Sequence, residues 1–225
     1  MAALERLGDS ARLERGYLHF LIGQNRWREA QDVAARLTTR RNPQDSELLL
    51  ALADRLIAAG KGDAAWAVWT GFREGSIRGL TNGDFVTNPS GHGFDWRVLA
   101  PPGGSVHWNP VRIRFWLTGL TPDTCSLLEQ WMLLAPGRYR LTFFYQTTGL
   151  TPQTGLRWNL VRDRREVAVS PVLQAQGGGR AEWSFKVSQS GLFQLRLDYA
   201  RVPGTTHREG RAEFGSVALE TYDRH

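Results

Sequence analysis

The sequence predicts an α+β chain in two parts: helical hairpins over residues 1–78, then an antiparallel β-sandwich or barrel over residues 79–225. Three observations predict this. Apolar residues recur at spacings of three and four through the first part. The period switches to two near residue 79 and stays there. Turn signals then divide the chain into about eight or nine short strand runs with no helical run between them.

The first helical pair is RGYLHFLIGQNRWREAQDVAARL. It places Leu18, Leu21, Ile22, Ala30, Val33, Ala34 and Leu37 on repeating faces. Asn42-Pro43 stops it, and Asp45 or Ser46 is positioned to cap the next helix. The second pair, ELLLALADRLIAAG and GDAAWAVWTGF, is parted by Gly60 and Gly62. At an offset of 35 residues the pairs superimpose: Leu18 on Ala53, Leu21 on Leu56, Ile22 on Ile57, Ala30 on Ala65, Val33 on Val68. With small residues early in each second helix (Ala30, Ala65) and Pro43 at the end, residues 11–75 resemble tetratricopeptide repeats. The tryptophan and Leu-Gly pair of the full motif are missing. The resemblance implies a protein partner bound through the helical repeats. Trp27, Trp66 and Trp69 line such a face or glue helices together. Two repeats are few for a free-standing array, so the chain is read as the tail of a longer array or as helices docked on the second part.

In the second part, VRIRFWL, RYRLTFFYQ, GLRWNLV, AEWSFKV, LFQLRLDYA and AEFGSVALE alternate and are rich in aromatic and β-branched residues. Pro101-Pro102-Gly103-Gly104, Pro136-Gly137, Gly177-Gly178-Gly179 and Pro203-Gly204 read as turns. Alternation assigns faces. Val111, Ile113, Phe115 and Leu117 face the core, with Tyr139, Leu141, Phe143, Tyr145, Leu156, Trp158, Leu160, Phe193, Leu195, Leu197 and Tyr199. Arg112, Arg114, Trp116, Arg140, Phe144, Arg157, Asn159, Arg196 and Asp198 face outwards.

The opening LTNGDF, then GFDWRV, and the later LLEQWMLLAPGRYRLTFFYQ carry a second resemblance. Over about residues 80–221 they resemble the jelly-roll carbohydrate-binding modules that accompany bacterial glycoside hydrolases. The resemblance implies a galactose-binding-like jelly roll, a glycan as ligand and a periplasmic or extracellular setting. Such modules often hold a structural calcium ion. Here Val86 follows Phe85, and Gly215-Ser216 stands where acidic ligands are expected, so no metal is expected there.

Two readings of the outer face stay open. It is a solvated exterior, with Trp116 and Phe144 covered by the helical part. Alternatively it is a ligand groove, with Trp116, Arg114, Phe144, Arg140, Arg157, Asn159, Arg196 and Asp198 around a sugar and Trp108 as a further stacking residue. The first gives a non-catalytic binding or scaffolding protein of a bacterial cell-envelope or secreted assembly, polysaccharide-related. The second gives a true carbohydrate-binding module.

Composition narrows the classes. The net charge of +6 is shared along the chain, with 12 basic and 10 acidic residues before position 79 and 16 and 12 after it, so no nucleic-acid partner is expected. No apolar run is long enough to span a membrane. Cys125 is the single cysteine and reads as a small buried hydrophobe. The five histidines show no metal-ligand spacing, and no nucleophile, phosphate-loop or dinucleotide motif is present. No enzyme and no cofactor is expected. TGLTPDT at 118–124 returns as TGLTPQT at 148–154, but the flanking sequences diverge, so the pair reads as one strand-exit turn used twice.

Overall fold

The computed structural model describes residues 2–72, 79–150, 155–202, 204–205 and 209–222. The chain divides into two compact units, residues 1–76 with 92–94, and residues 77–91 with 95–225.

The first unit holds four α-helices: α1 (Ala2–Gly23), α2 (Trp27–Arg40), α3 (Ser46–Ala58) and α4 (Gly62–Phe72), with a 3-10 turn at Pro43–Asp45. The apolar positions of the 3.6-residue pattern form its core. Leu18, Leu21, Ala30, Leu37, Leu52, Ala53, Leu56 and Ala65 are wholly buried. Glu14 of α1 ties α2 through Arg36 (3.3 Å) and Arg40 (2.6 Å). The expected cap at Asp45 takes another form. Its side chain makes no capping bond. Instead, buried Asp45 pairs with Arg15 at 3.1 Å, and Asn42 accepts from the Gln44 backbone N–H at 3.0 Å. Trp66 and Trp69 are buried, and Phe94 meets Trp66 edge-on at 4.9 Å, so these tryptophans glue the unit internally.

The second unit is a β-sandwich. Its strands are β1 (Arg97–Val98), β2 (Ser105–Asn109), β3 (Arg112–Leu117), β4 (Thr124–Leu134), β5 (Gly137–Thr148), β6 (Arg157–Arg162), β7 (Arg165–Val169), β8 (Gly177–Val187), β9 (Gly191–Ala200) and β10 (Gly210–Thr221). They form two antiparallel sheets, in the orders β1-β4-β9-β6-β7 and β2-β3-β10-β5-β8. Alternation puts one row of each strand between the sheets. The core there is aromatic: Trp158 lies 6.1 Å from Trp96, 5.7 Å from Phe143 and 6.1 Å from Phe214.

The residues behind the second resemblance turn out to hold the entry loop. Asn82 donates from Nδ2 to the Thr87 carbonyl (3.0 Å) and to Asp95 Oδ1 (3.2 Å). Asp95 also accepts from the Ser90 and Trp96 backbone N–H groups at 2.9 and 2.8 Å. Buried Gln130 replaces a strand partner for Thr81, donating to its carbonyl at 2.8 Å and accepting from its N–H at 3.2 Å. Asp95 and Gln130 are buried polar groups satisfied within the fold, and half-buried Asn82 ties the loop between them.

Three local expectations are corrected. Val111 is not core: it is 49% exposed, with φ +72, because it sits in the tight β2–β3 turn. Gly177-Gly178-Gly179 is not a turn but the start of β8, paired with Thr147, Gln146 and Tyr145. Its glycines have φ of +105, +144 and +136, and a Cβ on Gly178 would lie 2.2 Å from the Tyr145 carbonyl oxygen. Glycine lets β8 approach β5 there, which a turn reading of the sequence overlooks. Of the twin TGLTP turns, Gly149 takes φ +71, whereas Gly119 is not among the described glycines with positive φ. Residues 151–154 of the second copy lie outside the described residues.

Candidate ligand-binding face of the β-sandwich

The nine residues proposed from the sequence do not form one groove. Trp116, Arg114, Phe144 and Arg140 lie on β3 and β5, in one sheet. Arg157, Asn159, Arg196 and Asp198 lie on β6 and β9, in the other. Both sets point outwards from the core, so they occupy opposite sides of the sandwich. Alternation gives inward or outward for each strand but leaves sheet membership open, and the strand order decided it.

On the β3/β5 side the aromatics already have partners. The Arg114 guanidinium lies over the Trp116 ring at 5.6 Å, and that of Arg112 over Phe144 at 5.2 Å. Glu213 of β10 is buried between the two arginines. It accepts from Arg112, and from Arg114 Nε at 2.7 Å. Burial pushes the Glu213 carboxyl up, but the hydrogen bonds from Arg112 and Arg114 outweigh it and hold it below the usual glutamate range. Arg140 lies 4.9 Å over Tyr222 and 3.8 Å from Glu182. This is a self-satisfied lattice of cations, rings and carboxylates. Trp108 is no free platform either. It sits in β2 rather than a loop, packs against the core and donates from Nε1 to the Phe85 carbonyl at 3.1 Å.

The other side differs. Strand register lines up a row across all five strands: Arg97, Glu129, Arg196, Asn159 and Val169. The next row holds Ser126, Asp198 and Arg157. On the far side of the first row come Trp131, Gln194 and Val161. Asp198 is the hub. Its Oδ1 accepts from Ser126 Oγ at 2.6 Å; its Oδ2 accepts from Asn159 Nδ2 at 2.6 Å and from Arg196 at 2.8 Å. Because a carboxylate can only accept, this bond fixes the Asn159 amide with its oxygen turned away. That oxygen is buried and has no partner; neither has the buried Nε of Arg157. Both residues line an open depression of about 320 Å³ together with Ser126, Glu166, Arg196 and Asp198.

Electrostatics here run opposite to those at Glu213. Burial pushes the Glu129 carboxyl above its usual range; Arg97 and Arg196 oppose the shift and Asp198 adds to it. Burial, then the Asp198 charge, pushes the Cys125 thiol up to about 11. Half-buried Cys125 is therefore a neutral thiol near pH 7 and not a nucleophile. Among the described residues no group of three or more His, Cys, Asp and Glu is placed to hold a metal ion.

Three contributors escaped the sequence reading: Glu129, Trp131 and Ser126. The signal was there for two of them, since LLEQWMLL alternates Leu128, Gln130 and Met132 with Glu129, Trp131 and Leu133. Gln130, polar but inward-facing, disguised the period. Ser126 precedes a register shift between Ser126 and Leu128 that alternation does not reveal.

No protein-family model matches the chain, and no curated protein matches it. Solved structures similar to it include several carbohydrate-binding modules, alongside a bacteriophage tailspike enzyme domain and a secreted serine protease. TmCBM61, solved in complex with β-1,4-galactotriose, is 19% identical, with 65% of this chain and 100% of that one covered at a TM-score of 0.43. The N-terminal cellulose-binding domain of the Cellulomonas fimi β-1,4-glucanase C is 11% identical, covering 66% and 100% at a TM-score of 0.41. A family 16 carbohydrate-binding module is 16% identical, covering 63% and 98% at a TM-score of 0.37.

Proposed function

We propose that the sandwich is a non-catalytic carbohydrate-binding unit and that its ligand lies on the outer face of the β1-β4-β9-β6-β7 sheet. The observation that carries this is that two residues lining an open depression, Asn159 and Arg157, each keep a buried polar atom without a partner, Oδ1 and Nε. An acceptor and a donor two residues apart on one strand suit hydroxyl groups, which donate and accept at once. A buried polar atom without a partner costs about 1–3 kcal/mol, so satisfying both is a source of affinity as well as of orientation. Half-buried Trp131 supplies an apolar ring on the same face for a pyranose to lie against. Arginines and carboxylates alternate there without an excess of either sign, which suits an uncharged sugar.

A glycan array, followed by calorimetry on the best hit, tests this. Asn159→Ala and Trp131→Ala are each expected to weaken binding about tenfold or more, at about 1.4 kcal/mol per decade. Trp116→Ala is expected to leave it unchanged. Binding lost with Trp116→Ala and kept with Asn159→Ala would move the site to the other sheet. The setting in a bacterial cell-envelope or secreted assembly belongs to this same reading, since a polysaccharide ligand is found there.

The helical unit supports a second reading, a protein contact. Leu13, Tyr17 and Phe20 stand 73%, 45% and 53% exposed at spacings of four and three on α1. The 35-residue offset explains why such a face wants a partner. Tyr17 corresponds to Leu52, which is buried in α3, a helix that packs on α1, α2 and α4. We propose that a second copy covers the stripe. An antiparallel two-fold about Tyr17 sets Leu13 of one copy on Phe20 of the other. Sedimentation over a concentration series is expected to show a weak dimer that Leu13→Glu with Phe20→Glu abolishes while the melting temperature holds. A chain monomeric at all concentrations rules this out.

A further inference from the structure

The β6–β7 hairpin carries three arginines in four residues, Arg162, Arg164 and Arg165, around Asp163. Asp163 and Arg164 form its two-residue turn with φ +49 and +62. Such a turn favours glycine at its second position, where Arg164 stands. Arg162 and Arg165 face each other as a cross-strand pair. Like charges placed directly opposite destabilise a hairpin. Little offsets them. Among the described residues the one carboxylate paired with Arg162 is Asp163, at 3.5 Å and 87% exposed. Among the described residues Arg164 and Arg165 have no carboxylate partner.

Arg162 is nonetheless held in place. Its guanidinium stacks 5.4 Å over Phe193 and points at the β8–β9 connection, where Nη1 lies 3.5 Å from the Gln189 carbonyl. Beside it opens a hollow of about 590 Å³ lined by Arg162, Arg165, Val167, Ser188, Gln189 and Phe193, with the exposed Asp163 carboxylate at its edge beside Arg162. Alternation along β7 separates this hollow from the outer-face depression: Glu166 lines the depression, while Arg165 and Val167 line the hollow.

We propose that this hollow is an oxyanion site, taking a carboxylate, sulfate or phosphate group between Arg162 and Arg165, with Ser188 and Gln189 as further donors. The bound anion replaces the missing counter-charge of the hairpin. A planar guanidinium offers two parallel donors to an oxyanion, and one of the two here is pre-positioned by its stacking. The hollow is also wide enough for the oxyanion to arrive on a larger body, such as an acidic sugar. The site does not depend on the neutral-sugar face.

Thermal melts of the full chain in sodium sulfate against sodium chloride at matched ionic strength test it. Sulfate at ten times its dissociation constant is expected to raise the melting temperature by about 3 °C. Arg165→Glu is expected to remove that increment and, in chloride alone, to melt above the parent, because it turns the repelling pair into an attracting one. Asn159→Ala is expected to keep the increment, which separates this site from the sugar face. Equal sulfate increments in the parent and Arg165→Glu overturn the proposal, since sulfate then acts only as an excluded salt. No increment in the parent overturns it too. Dextran sulfate against neutral dextran distinguishes the sources. Response to the polymer at far lower sulfate concentration identifies a polysaccharide-borne anion, and equal response per sulfate identifies a free one.

Discussion

Trp158→Ala is expected to lower the stability of the sandwich by about 3–5 kcal/mol, a large effect for a single substitution in this unit. Trp158 is fully buried and touches aromatic residues from three separate segments: Trp96, Phe143 and Phe214. Phe143 and Phe214 belong to the facing sheet, so the indole bridges the two sheets. Removing it leaves a cavity that rigid aromatic neighbours fill only in part. Trp158→Phe separates packing from polarity. The indole N–H is buried without an acceptor, so phenylalanine loses volume but no hydrogen bond. It is expected to cost well under half as much. Urea denaturation followed by tryptophan fluorescence, with circular dichroism as a second probe, reads both. A loss under about 1 kcal/mol for the alanine variant would mean that this aromatic cluster does not hold the sheets together.

The second large effect is expected at Asp198, where stability and binding move together. Asp198→Ala removes the acceptor shared by Ser126, Asn159 and Arg196. The Asn159 amide is 2% exposed, so its Nδ2 is left buried and unpaired. That costs about 1–3 kcal/mol. Freed from its fixed bond to Asp198, the amide also loses the single orientation on which the proposed sugar contact rests. Glycan binding is then expected to fall about tenfold or more although Asp198 itself need not touch the sugar. Asp198→Asn keeps one acceptor and is expected to fall between the two. Chemical denaturation gives the first effect and glycan titration the second. Unchanged affinity in a folded Asp198→Ala variant would show that Asn159 is not a ligand contact.

The two sides of the sandwich show why an outward-facing aromatic is poor evidence for a binding platform. Trp116 and Phe144 looked like the stacking residues because each alternates with core positions on a clean strand. Each lies under an arginine that is anchored through the same buried glutamate, Glu213. Glu213 comes from β10, about a hundred residues along the chain from those arginines. Trp131 is half-buried on the sheet that carries the unsatisfied amide and guanidinium. What distinguishes the faces is which polar atoms are already paired, and pairing is a property of three-dimensional neighbours.

The sequence by itself determined the division into a helical and a strand part, the runs that form β3, β5, β6, β8, β9 and β10, and most inward positions of β3, β5, β6 and β9. These follow from local periodicity, and periodicity follows from the backbone geometry of a single element. It also determined most of the core, from Leu18 and Leu56 in the helices to Phe115, Phe143 and Trp158 in the sandwich. Tertiary structure alone decided which strands share a sheet, and so that Arg157, Asn159, Arg196 and Asp198 meet while Arg114 and Trp116 lie on the other side. It alone placed Gly178 inside a strand, Val111 on a turn and Trp108 against the core. Strand order is set by long-range burial of whole faces, and a close backbone approach is set by the neighbouring strand. Strand order leaves no mark within the few residues it governs, and the close approach leaves only the glycines, which do not tell a strand from a turn.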